Sequence, residues 1–274
     1  MKLPHNSQFM SHIKLKASTE IKIDFNPKEL QKTIAPEHKK EVLQKYISSN
    51  ALAEDENLDI MLILEDKAVY AFDYLHAGKK RMIIEINPVT IFFSNSVMSF
   101  GMLNKYKQIL LLESSEVGRL NEGEHVNLSH SGMFFQLAIN CIINLQATLE
   151  SLANRIIPEA FPFLNRNGKP VDRTITYKLY NAIPKVKQID FQKKSNRKHN
   201  ISIDKLIKLR NNLVDLKPNT ETNSGYKGVY RELLDFEYLK TIIAVKTFVN
   251  FYEPDLIEEC LCGIEYYFDR FSKE

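Results

Sequence analysis

Tryptophan is absent from the chain, and glycine (9), proline (10) and cysteine (3) are scarce among its 274 residues. So few glycines leave no Gly-rich phosphate loop. They favour helices with short connections over a many-turned β-protein. Three cysteines are an odd number, and the start, Met1 to Ser7, has no apolar leader. A disulfide-built secreted domain is therefore not expected, and a reduced, cytoplasmic setting is. A membrane helix needs about 18 uninterrupted apolar residues. The greasiest stretch, Met133 to Leu145, is broken by Gln136, Asn140 and Asn144, so no membrane span is expected. No G-x-S-x-G, H-E-x-x-H, Walker or dinucleotide-binding pattern occurs, which removes the main support for those enzyme classes and for a bound cofactor.

What is present is a chain 44% apolar and 26% charged, enough for a real hydrophobic core. Its net charge of +3 names no partner. The distribution is less even. Lys185, Lys187, Lys193, Lys194, Arg197, Lys198, Lys205, Lys208 and Arg210 crowd one stretch, opposed there by Asp190 and Asp204 alone. Beyond Tyr252 the balance turns acidic, with Glu253, Asp255, Glu258, Glu259, Glu265, Asp269 and Glu274 against Arg270 and Lys273. A basic segment beside a helix attracts phosphates. It serves equally as a solvated face, or as a surface that pairs with an acidic tail.

The patterning predicts a small mixed α/β region over 1–86 and an antiparallel helical bundle over 87–274. In the first region Ile13–Lys16 and Ile21–Phe25 alternate apolar and polar at the strand period. Helix starts are expected at Asn26-Pro27 and at Pro36, the second running to Ser49. Leu58 to Leu75 reads as a helix or as a hairpin turning near Asp66, and Arg81 to Ile86 as a strand or a helix lead-in. In the second region Asn87-Pro88 opens a helix through Leu112, and Glu113 to His130 reads as a loop. Ser131 to Ile157 is the strongest helix, with an apolar stripe of Leu137, Cys141, Leu145, Thr148, Leu149, Leu152 and Ile156. Further helices are expected from near Thr174 to Ile183, ended by Pro184, from Ile201 to about Leu216, from Arg231 to Phe251 and from Leu256 to Phe271. Gln192 to Asn200 is expected as a flexible connector.

Metal chemistry finds little to work with. Cys260-Leu-Cys262 has no second cysteine pair, and His125 and His130 do not share a helical face, so no metal site is expected. Two polar clusters are more telling. Gln146, Glu150 and Asn154 are spaced by four and share a face of the strongest helix. Arg210, Asn211, Asn212 and Asp215 gather at the end of the helix from Ile201. A carboxylate there faces the negative end of the helix dipole, so Asp215 needs a partner or a use. Arg210, five residues away, is badly placed to pair with it.

Leu209-Arg-Asn-Asn-Leu-Val-Asp215 resembles the Arg-x4–6-His signature of HEPN domains (higher eukaryotes and prokaryotes nucleotide-binding). Leu149-Glu-Ser-Leu-Ala-Asn154 is similar to the helix that packs beside that motif. The resemblance spans about 87–252. It implies a helical bundle that forms a homodimer, and a cleft in which Arg210, Asn211 and Asp215 stand at the motif positions, supported by Glu150 and Asn154. It further implies RNA or a nucleotide as ligand, with Lys193, Lys194, Arg197, Lys198 and His199 supplying charge. Toxin–antitoxin and antiphage systems are the implied settings, with an antitoxin-like protein as a possible partner class. Many such domains are metal-independent ribonucleases. Here Asp215 replaces the histidine. An aspartate donates protons poorly at neutral pH and repels a substrate phosphate. The expectation is therefore a non-catalytic or weakly active binding protein, with a ribonuclease and a structural dimerisation module as alternatives.

Overall fold

The computed structural model describes residues 12–22, 37–53, 55, 59–64, 67–114, 128–165, 167–192, 194–217 and 225–260. It is mostly helical, with one small antiparallel sheet. Leu15–Pro88 forms one compact unit, and Met1–Lys14 with Val89–Glu274 forms another. The mixed region read as 1–86 thus divides at Lys14.

The sheet unit holds β1 (Glu20–Lys22), α1 (Glu37–Ser48), β2 (Ile60–Leu64), β3 (Lys67–His76) and β4 (Lys79–Ile84). Leu58 to Leu75 contains a hairpin and Arg81 to Ile84 a strand, which settles both ambiguities. The expected helix start at Asn26-Pro27 lies outside the described residues. All pairings are antiparallel. Ala71 pairs with Ile60 of β2 and with Ile84 of β4, so those strands flank β3 on opposite sides. β1 pairs with Lys67 to Val69, beside β4. The β3–β4 turn is Ala77-Gly78, with φ of 49° and 72°. Two consecutive left-handed residues are what a tight two-residue hairpin requires, and glycine adopts that geometry without strain. One face of the sheet is held by α1 and the turn after it. Buried Asp73 accepts a hydrogen bond from Tyr46 Oη at 2.8 Å and from the Ala53 amide at 3.2 Å. Burial, then the Asp73 carboxylate, pushes the Tyr46 phenol up to about 12.

The helical unit contains α2 (Pro88–Glu113), α3 (Leu128–Ile156), α4 (175–187), α5 (Arg197–Val214), α6 (Lys227–Asp235) and α7 (Tyr238–Tyr252). α2 starts at Pro88, whose missing N–H is one the first turn leaves unused anyway. α3 is the core helix, and all seven residues of its predicted stripe are buried. Among the described residues, Ser131–Ile156 is long and apolar enough on average to cross a membrane; half of that window is buried inside the protein, as expected of a core helix. α5 packs on both α3 and α7. Phe191, just before α5 and beside His199 in its first turn, packs on α7 residues Phe248 and Phe251 near the C-terminal end of that helix, and Asn212, at the other end of α5, reaches Glu232 of α6. α5 and α7 are therefore antiparallel.

Four local readings are corrected by the structure. Pro184 does not end α4. That helix is α-helical over Ile175–Tyr177, passes through a π-turn at Lys178–Ala182, and resumes over Ile183–Lys187. The Ile183 amide bonds Lys178 O, five residues back, and this shift in pairing accommodates a proline that has no amide to give. The stretch from Arg231 to Phe251 is two helices, because Phe236 is extended at φ −67° and ψ 138°. Tyr238 Oη donates to Leu233 O, a carbonyl that a continuous helix would offer to the amide of residue 237. α5 begins at Arg197, not Ile201. Finally, Leu256 to Cys260 is not helical. Asn250 clips it through both amide atoms to Ile257, and Ile13 bridges Glu259. The remainder of that expected helix lies outside the described residues.

Candidate functional site

The basic segment is ordered from its ends inward. Phe191 is buried against Phe248 and Phe251, with ring centroids 4.9 and 5.3 Å away, and its amide donates to Tyr252 Oη. Asn196 Nδ2 donates to Phe191 O and closes the turn before α5. The expected flexible connector is thus partly a 3-10 turn, Lys194–Asn196, and partly helix. Lys193 lies outside the described residues. Arg197 and Lys198 are exposed on the first turn of α5, and His199 is half-buried with its ring 6.4 Å from Phe191. His199 thus lies in the first turn of α5.

At 100° per residue, Ile203, Leu206, Ile207 and Leu209 define the inward side of α5, and all are buried. Arg210 falls on that same side and is half-buried. Asn211, Asn212 and Asp215 turn outward and are exposed. Arg210 Nη1 donates to Asn211 Oδ1 at 3.5 Å, the long limit of a hydrogen bond. Asp215 is the C-terminal cap, its amide bonding Asn211 O at 2.9 Å. Among the described residues its carboxylate has no hydrogen-bond or ion-pair partner, and none joins Arg210 to Glu150.

The outward stripe of α5 is cationic. Arg197 and Lys208 lie within about 20° of each other around the helix and roughly 16 Å apart along it, with Lys198 and Lys205 to one side. Lys205 pairs with Glu237 at 3.7 Å. Among the described residues Arg197, Lys198 and Lys208 have no carboxylate partner. Asp204 on this stripe is occupied as well, accepting from Tyr180 Oη at 2.9 Å. Burial, reinforced by Asp204, raises the Tyr180 phenol well above its ordinary value.

The polar stripe of α3 runs from core to surface. Gln146 is buried, Glu150 half-buried and Asn154 exposed. Gln146 Oε1 and Asn200 Oδ1 are both buried without a hydrogen-bond partner among the described residues. Asn154 is joined elsewhere: its Oδ1 accepts from Lys178 Nζ at 2.8 Å. Both line a cavity of about 220 Å³ with Ile157, Phe163 and Arg173. The Arg173 guanidinium lies 5.1 Å from the Phe163 ring centroid. Lys178, Arg173 and Phe163 carry no sequence pattern of their own. They meet because the π-turn of α4 and the loop after α3 converge on the end of α3. Among the described residues no three His, Cys, Asp or Glu side chains cluster as metal ligands.

Compared with protein-family models, with curated proteins and with solved structures, the chain matches none.

Proposed function

We propose that the helical unit is a HEPN-like module that binds RNA or a nucleotide along α5, without catalysis or with weak activity. The observation that carries this reading is the outward stripe of α5, where Arg197, Lys198 and Lys208 are exposed and without carboxylate partners among the described residues. Arg210 and Asn211 stand near the C-terminal end of α5, in direct mutual contact, with Arg210 half-buried on the inward side and Asn211 exposed. The element order also agrees with the resemblance: two long helices, a spacer that holds α4, the motif helix packed on the second of them, then the further helices α6 and α7. Asp215 speaks for binding over proton transfer. It has no neighbour among the described residues to hand it a proton, and it adds negative charge where a phosphate would sit.

The test is fluorescence anisotropy of a labelled single-stranded RNA titrated with the full chain across salt concentrations. Three phosphate contacts give a slope of log K against log salt of about −2, at roughly −0.7 per contact. Substituting Lys198→Ala and Lys208→Ala together brings that slope to about −0.7. No binding even at low salt, or a slope unmoved by the double substitution, overturns the proposal. Cleavage of that RNA in EDTA, abolished by Arg210→Ala, would reassign the module as a ribonuclease.

A further inference from the structure

Among the described residues, α1 and the turn after it cover only part of one face of the sheet unit, where Leu64, Leu75 and Met82 stay 36–58% exposed, and no element covers the other face. Residues directly opposite in an antiparallel pair lie on the same face. Phe72 opposes Ile83, Tyr70 opposes Met61, and Ala68 opposes Ile63 and Ile21. Together with Tyr74 these make one face of β1–β4, the face away from Asp73 and its bond to Tyr46 of α1. Ile21, Met61, Ile63, Phe72, Tyr74 and Ile83 are each between 41% and 54% exposed. A sheet with one solvated face normally alternates apolar with polar, whereas strands apolar on both sides are the mark of a sheet covered on both. β2, Ile-Met-Leu-Ile-Leu, has no polar residue at all. The strands are thus written for a second covering layer.

We propose that this face packs against the same face of a second copy of the chain, forming a two-fold β-sandwich centred near Phe72. Six large side chains at about half exposure present on the order of 500 Å² of apolar surface. Two copies meeting face to face therefore remove roughly 1,000 Å², the size at which an interface becomes specific. Charge selects the orientation. His76, Lys79 and Arg81 share this face at the hairpin end, while Ile21 and Ile63 lie at the opposite end. A two-fold with β3 strands running antiparallel keeps the two cationic ends apart at the rim. Strands packed face to face within about 30° of one another, some 10 Å apart, satisfy that geometry. The proposal concerns the sheet unit and does not rest on the RNA reading of α5.

Sedimentation equilibrium of the full chain tests it. A concentration-dependent dimer is expected. Phe72→Glu places a charge in the interface twice and raises the dimer Kd by about a hundredfold or more. Met82→Glu changes a side chain at least as exposed on the opposite face of β4 and leaves the Kd unchanged. Far-UV circular dichroism checks folding, and Met61→Lys carries the same expectation should Phe72→Glu unfold. Three results overturn the proposal: a chain still monomeric at roughly 100 μM, a dimer that survives both face substitutions, or a dimer that Met82→Glu disrupts equally. RNA anisotropy on Phe72→Glu keeps the two readings apart, since a monomer that binds RNA normally leaves the α5 proposal standing.

Discussion

Removing one oxygen atom, by Tyr46→Phe, tests how α1 is fastened to the sheet. Tyr46 is buried, and its hydroxyl donates to Asp73 Oδ2 at 2.8 Å. The same carboxylate oxygen accepts from the Ala53 amide at 3.2 Å. Phenylalanine keeps the ring, the contact with Lys80 Nζ 3.7 Å from the ring centroid, and the bond from Lys80 to the backbone oxygen of residue 46. Only the phenol bond is lost. A hydrogen bond to a charged group contributes about 1.5–3 kcal/mol, and the Ala53 amide still satisfies part of the carboxylate, so the lower half of that range is expected. The difference has a pH signature. The phenol is raised in the folded state from 10.0 to about 12, by burial first and by Asp73 second. The folded state thus holds this proton more tightly than the unfolded chain. That stability is fully present below pH 10 and is lost as pH rises from 10 towards 12. Urea unfolding of parent and variant by circular dichroism, at pH 8 and again near pH 11, reads both effects. The parent should lead at pH 8, and its lead should shrink at the higher pH. Equal midpoints at pH 8, or a lead that grows with pH, would refute the reasoning.

Two further outcomes follow from the helical unit. Asn250→Ala removes both bonds that clip Ile257, at 2.9 and 2.8 Å, and is expected to cost about 1–3 kcal/mol and to expose the segment after Pro254 to limited proteolysis; an unchanged cleavage pattern would show that the Ile13–Glu259 bridge holds it alone. Burial pushes the Cys141 thiol far above its ordinary value, so in the native chain it should resist iodoacetamide and should react only on unfolding, as mass mapping of alkylated peptides would show.

Local periodicity was enough wherever one face of an element meets one core. The stripe from Leu137 to Ile156 needs nothing but a 3.6-residue period to declare α3, and Asn87-Pro88 marks the start of α2. Periodicity failed for Leu58 to Leu75, because strands apolar on both sides lose the alternation that separates strand from helix. The polar groups divide in the same way. That Arg210, Asn211 and Asp215 occupy the end of one helix was legible, since spacing on a helix is fixed. That Asn154 holds Lys178, and that Glu150 makes no bond to Arg210, was not.

Sequence by itself therefore determined the mainly helical class, the core stripe of α3 and the cationic stretch from Lys185 to Arg210, all of which depend on residue type and near neighbours. Tertiary structure alone decided the break at Phe236, the passage of α4 through Pro184 and the non-helical run to Cys260. Each is set by a specific bond that residue type and period do not announce: Tyr238 on Leu233, the Ile183 amide on Lys178, and Asn250 with the distant Ile13 on the tail. A helix propensity of a few tenths of a kcal/mol per residue yields to such bonds once burial makes an unpaired backbone group cost more.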